Sequence, residues 1–178
     1  MITEKDAIAL INLAESLEIN VFIDGGWGVD ALLGEQTREH QDIDLFVEER
    51  QAARFIHALH QQGFKERTEA YSTPNHIVFA DADRRTVDLH LFNYDADGCI
   101  VFEGETYPAD TFSGEGYIGK KKVSCIPPQA QVAFHTGYAF DDNDIRDVLA
   151  LCRRFHLPVP NEYLPYARLF HLSLDKGT

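Results

Sequence analysis

Residues 42–47 read Asp-Ile-Asp-Leu-Phe-Val, an alternation that sets Asp42 and Asp44 against Ile43, Leu45 and Val47. Side chains on a strand repeat with a period of two, so the segment is a β-strand with an apolar face and two carboxylates pointing the other way. Such a strand demands a sheet around it and a core against its apolar side. Aspartates at i and i+2 are close enough to share a divalent ion and too close to remain both ionised cheaply without one. A metal ion is the natural third party.

The flanking segments supply the rest of an α/β pattern. Thr3 and Asp6 form a helix-capping pair, and Ala7, Ile8, Ile11, Ala14 and Leu17 then recur at helical spacing. Asn20 to Asp24 reads as a strand halted by Gly25-Gly26, with a helix from Trp27 to Leu33 that stops at Gly34. After the acidic strand, Glu49 to Gln62 puts Ala52, Phe55, Ile56 and Leu59 on one helical face. His76 to Ala80 and Arg85 to Phe92, joined by the turn 81–84, form an antiparallel hairpin whose second arm sets Asp88 and His90 opposite Val87, Leu89 and Leu91. Short strands are expected at 100–102 and 123–126, and helices at 128–138, 144–155 and 161–174. The pattern is a mixed sheet flanked by helices, an α/β (α+β) domain with a helical C-terminal part.

Composition narrows the function classes. With 44% hydrophobic and 25% charged residues the 178-residue chain is an ordinary globular protein, expected as one domain made of a mixed-sheet core (about 1–126) and a helical part (about 127–178). Three cysteines, Cys99, Cys125 and Cys152, without a CxxC spacing, argue against a disulfide framework and a zinc site, and fit a reducing cytoplasm. No apolar run approaches the ~20 residues of a membrane span, and the N-terminal residues lack a signal-peptide layout. The net charge is −13, with 17 acids and 8 bases in residues 1–89. Such a field repels phosphate backbones and attracts small cations, so nucleic acid and membrane are not expected partners.

A third carboxylate, Asp88, stands on another strand, and if that strand neighbours the first, three acids share one surface. The Gly25-Gly26 turn opens a helix N-terminus, whose N–H groups favour a phosphate. Together these are the parts of metal-assisted phosphoryl or nucleotidyl transfer. Gly25-Gly26-Trp27-Gly28-Val29-Asp30, then Arg38-Glu39-His40-Gln41-Asp42-Ile43-Asp44, then Val87-Asp88-Leu89-His90 resemble the small antibiotic nucleotidyltransferases of the polymerase-β-like superfamily. Among these the chain looks most like the lincosamide enzymes, then the aminoglycoside 2″-nucleotidyltransferases. The likeness runs from the first helix to about residue 150 and takes in the segments 94–99 and 129–138, with His135-Thr136-Gly137-Tyr138.

The resemblance implies a polymerase-β-like nucleotidyltransferase fold, a glycine turn on the triphosphate of ATP or another nucleoside triphosphate, and Asp42 and Asp44 as ligands of Mg2+ or Mn2+. It also implies Asp88 as third acid and base, an antibiotic as acceptor, and a homodimer only by family likeness. Where the superfamily has glycine-serine this chain has Gly25-Gly26, and Arg38 and His40 are candidates to take over the missing hydroxyl's phosphate contact. His90, His135 and Tyr138 are candidates for the acceptor side, although a strand histidine beside Asp88 and a packed helix explain them equally well. Trp27 reads as core, Asp24 and Asp30 as turn and helix-start residues, and 120–122 as a solvated turn. The alternatives are an aminoglycoside acceptor, a toxin-like protein-modifying nucleotidyltransferase, and a non-catalytic descendant, which intact Asp42, Asp44 and Asp88 oppose.

Overall fold

The strand at residues 42–48 sits in the middle of the sheet that it requires. In the computed structural model, which describes residues 1–168, helix α1 (Glu4–Ser16) is followed by β1 (Val21–Asp24), α2 (Gly25–Leu33), β2 (Asp42–Glu48), α3 (Glu49–Gln61), β3 (Lys65–Arg67), β4 (His76–Ala80) and β5 (Thr86–Tyr94). Then come β6 (Ile100–Phe102), β7 (Glu105–Tyr107), β8 (Gly114–Ile118), β9 (Lys121–Cys125), α4 (Pro128–Phe134) and α5 (Asp142–Phe155). The strands run in the order β3-β4-β5-β2-β1-β9-β8, with β6 and β7 extending from β5. β1 pairs antiparallel with β2, whereas β2–β5 and β1–β9 are parallel, so the sheet is mixed as expected.

The two faces of the sheet do different work. Ile43, Leu45 and Val47 of β2 join Val87, Leu89 and Leu91 of β5 and the apolar residues of α1, α2 and α3 in one core, with Trp27 buried in it. On the opposite face, Phe22, Phe46, Phe92 and Phe112 pack ring to ring at 4.5–6.5 Å beside the carboxylates. The acids are thus mounted on a strand that is rigidly packed from both sides.

Several local readings differ from the structure for identifiable reasons. The α2 helix begins at Gly25 rather than Trp27. The strand β8 reads as loop in the sequence because of its glycines, but those glycines serve close packing: a Cβ on Gly116 would lie 2.4 Å from the carbonyl oxygen of Ala31 in α2. The helix expected to run to 138 stops at Phe134, and Gly137 takes φ +84°, a left-handed value that a continuing helix excludes. His135 and Tyr138 are therefore not successive on one helical face. Residues 161–163 form a 3₁₀ turn and 164–168 are helical, and the remainder of the expected 161–174 helix lies outside the described residues. Lys121 and Lys122 belong to β9 and pair with Glu15 and Glu115, so only Lys120 stays in the turn. Contacts divide the chain into two units at Pro127/Pro128.

Candidate active site

Strand pairing brings the acids together. Asp24 of β1 is in register with Asp44 of β2, and Asp44 is in register with Asp88 of β5. Residues in register share a face, so Asp24, Asp44 and Asp88 stand level on three strands about 5 Å apart, with Asp42 two residues along on the same side. Burial pushes the Asp44 carboxyl well above the usual range, and the charges of Asp42, Asp88 and Asp24 push it further. Burial and Asp88 raise Asp42 as well, against the opposing pull of Arg38 and His40. The electrostatic demand is for a cation.

The glycine turn is pressed against the acids. Gly25 has φ +58°, and a Cβ built on it would lie 2.1 Å from Oδ2 of Asp44, so both backbone and space require glycine. A Cβ on Gly26 would lie 2.4 Å from Nη2 of Arg38 and 2.5 Å from Nδ1 of His40. The volume a serine side chain would fill is occupied by that guanidinium and that imidazole. His40 is itself buried and fixed: its Nε2 lies 2.5 Å from Oδ2 of Asp30, Thr37 donates to Oδ1 of Asp30 at 2.6 Å, and the His40 ring packs 4.6 Å from that of Trp27. Asp30 thus anchors the imidazole under the turn rather than starting a helix.

Two histidines border the acids. His90 Nε2 is 3.4 Å from Oδ1 of Asp44, and its ring stacks 4.7 Å from Phe46, so its contact is with Asp44. Burial, reinforced by the neighbouring His76, pushes His90 down to about 4, which leaves it neutral at pH 7. His76, which the sequence did not single out, has its Nε2 3.4 Å from Oδ1 of Asp88, and this contact raises its pKa against the effect of burial. Tyr71 lies 5.2 Å from the His76 ring, at the rim.

In the second unit, His135 and Tyr138 converge on Asp144. The Tyr138 hydroxyl donates to Oδ1 of Asp144 at 2.9 Å, and His135 Nε2 stands 4.0 Å from the same oxygen. His135 is buried with Nδ1 at 2.8 Å from the Gln131 carbonyl, and Tyr138 is exposed.

The carboxylates fit a hard divalent ion. They are all-oxygen donors, and one oxygen each of Asp24 and Asp88 is buried without a hydrogen-bond partner among the described residues. Among those residues no group of three or more His, Cys, Asp or Glu side chains is arranged to hold a metal ion by itself. Magnesium does not require one, since it is commonly held by one or two carboxylates together with substrate phosphates and water.

Comparison with known proteins supplies the context for this geometry. Residues 7–151 match the family described as aminoglycoside-2″-adenylyltransferase. A lincosamide resistance protein of Staphylococcus haemolyticus is 34% identical over 152 residues, covering 83% of this chain and 92% of that protein. Among solved structures, the lincosamide antibiotic adenylyltransferase LnuA with bound lincomycin is 32% identical, with a TM-score of 0.75 over 84% of this chain and 96% of its own. The structure of ANT(2″)-Ia in complex with adenylyl-2″-tobramycin shares the fold, with a TM-score of 0.70 at 18% identity over 96% of this chain and 97% of its own. With four-fifths of its length matched in sequence and the acidic strands in the order those motifs require, the chain belongs to the aminoglycoside-2″-adenylyltransferase family.

Proposed function

We propose that this protein transfers a nucleoside monophosphate from a nucleoside triphosphate to a hydroxyl of a small cationic antibiotic, a lincosamide in preference, and releases pyrophosphate. The observation that carries the reading is the register of Asp44 with Asp88, level with each other and backed by a glycine turn that touches Asp44. The 34% identity to a lincosamide resistance protein supports the acceptor class.

On this reading each residue is assigned a task. Asp42 and Asp44, with Asp88 as third carboxylate, would hold Mg2+ or Mn2+, which supplies charge neutralisation at the α-phosphate and the departing pyrophosphate. Asp88 takes the proton from the acceptor hydroxyl as its oxygen attacks phosphorus in line. The turn at Gly25-Gly26 and the α2 N-terminus receive the triphosphate, and Arg38 supplies positive charge beside them while His40, locked by Asp30, shapes the turn from below. His90 borders the acceptor side, and His135 and Tyr138 of the helical unit are kept as candidates for acceptor contact. The −13 charge supports small cations over nucleic acid as partners, and no helix among the described residues is long and apolar enough to cross a membrane. We place the enzyme in the cytoplasm, with ATP as first candidate donor and a homodimer as its candidate assembly.

The test is incubation with magnesium, ATP and a panel of lincomycin, clindamycin, kanamycin and tobramycin, following pyrophosphate. Lincosamide-dependent release is expected. The family match keeps an aminoglycoside acceptor as the second reading, and release with kanamycin or tobramycin alone would establish it. No release with any of the four overturns the antibiotic assignment.

A further inference from the structure

His76 opens β4, and its backbone is fixed from two sides. It exchanges hydrogen bonds with Thr73, at 3.0 and 3.2 Å, and the preceding carbonyl of Asn75 accepts from the N–H of Leu91 in β5 at 2.8 Å. Its ring lies between Tyr71 at 5.2 Å and His90 at 4.2 Å, measured between centroids. The antiparallel register pairs His76 with His90 and Val78 with Asp88, which places His76 diagonal to Asp88 on the same face. From there Nε2 reaches to 3.4 Å from Oδ1 of Asp88. Both atoms are buried, and neither has a hydrogen-bond partner among the described residues, their mutual contact included. A separation of 3.4 Å is long for a hydrogen bond, as contacts of this kind are before substrate draws a site together.

We propose that His76 is a positioning residue for Asp88: its Nε2–H engages Oδ1 and fixes the carboxylate rotamer, leaving Oδ2 to face the metal site and the acceptor hydroxyl. The inference rests on the nucleotidyl-transfer reading above. His90 does not take this part, because its Nε2 faces Asp44. Both the Nε2-protonated neutral imidazole and the imidazolium carry the required donor, so the role does not depend on the charge of His76. A carboxylate whose orientation is left to chance loses rate rather than affinity, because the productive geometry is needed only where the proton moves.

The experiment compares His76→Phe, His76→Asn and His76→Gln, alone and combined with Asp88→Asn, in pyrophosphate release with magnesium, ATP and lincomycin. The Gln amide nitrogen lies near the Nε2 position, whereas Asn is one methylene too short and Phe has no donor. Phe and Asn are expected to lower kcat about 10–100-fold, the usual range for a residue that orients a functional group through a hydrogen bond, with KM for ATP and lincomycin within about 3-fold. Gln should return kcat to within about 5-fold of the parent enzyme. In the Asp88→Asn background the His76 variants should cost nothing further, since two residues acting as one unit are not additive. Should Phe fail to fold, the Asn and Gln pair carries the comparison. Parent-like kcat in the Phe and Asn variants, a Gln variant as slow as Asn, a loss confined to KM, or additive losses with Asp88→Asn would each overturn the proposal. A parent enzyme inactive with every antibiotic overturns the antibiotic-transfer reading and this role together, whereas an active parent indifferent to His76 overturns this role alone.

Discussion

At Asp44, burial and repulsion act in the same direction. The carboxyl is removed from water and has Asp24, Asp42 and Asp88 as its nearest charges, so its ionised form is unfavourable until a cation arrives. Function and apo stability are therefore opposed at this residue. Asp44→Asn is expected to raise the melting temperature of metal-stripped protein at pH 7 by about 2–4 °C, corresponding to roughly 1 kcal/mol for a chain of this size, while abolishing transfer. Calorimetry with manganese separates the two effects: Mn2+ should stabilise the parent protein and leave the variant unmoved. A destabilised variant, or one that still gains stability from Mn2+, contradicts this assignment. Asp42 and Asp44 were legible in the sequence because a period of two states which face a side chain occupies. Asp24 and His76 were not, because a face says nothing about which strand lies alongside. Asp24 gains its meaning from the β1–β2 register and His76 from the β4–β5 register.

Between β1 and α2, the turn shows how an element departs from its superfamily without losing its geometry. Gly25 needs its positive φ and its missing Cβ to pass Asp44, whereas Gly26 needs only the missing Cβ, because Arg38 and His40 fill that volume. Restoring a serine at 26 therefore brings back a hydroxyl at the cost of a clash. Arg38 is a flexible side chain and can yield, but His40 is buried and held by Asp30. Gly26→Ser is expected to destabilise the fold by about 1–3 kcal/mol, the range for overpacking, and to raise KM for ATP more than it lowers kcat. A Gly26→Ser enzyme with unchanged stability and tighter ATP binding would show that the turn has room and that Arg38 and His40 are not the substitutes. The departure was visible as a sequence difference, and its cause was not: Gly26, Arg38 and His40 are separated by a loop whose path no periodicity describes. The same limit hid β8, where Gly114 and Gly116 read as loop residues although they are cut for close approach.

At the scale of the whole molecule, charge is the property that acts before any contact forms. The chain carries 29 acids against 16 bases, and 17 of the acids lie in residues 1–89, the part that builds β1, β2, α3 and the start of β5. Near the acceptor side, Glu69 and Glu103 add to the field felt by Tyr71 and His76. A cationic acceptor approaching this face is drawn in over a distance set by screening, about 10 Å at 0.1 M salt and about 3 Å at 1 M. The KM of the acceptor should accordingly rise with ionic strength while kcat changes little, because salt weakens capture and leaves the bound geometry intact. The slope depends on acceptor charge: shallow for a lincosamide with its single amine, steeper for an aminoglycoside with several. A neutral acceptor would show almost no slope, which supplies the control. Measuring KM for lincomycin between 0.05 and 0.5 M potassium chloride at constant free magnesium tests the idea directly, and a flat response for a turned-over cationic antibiotic would show that local contacts, not the field of the molecule, hold the acceptor.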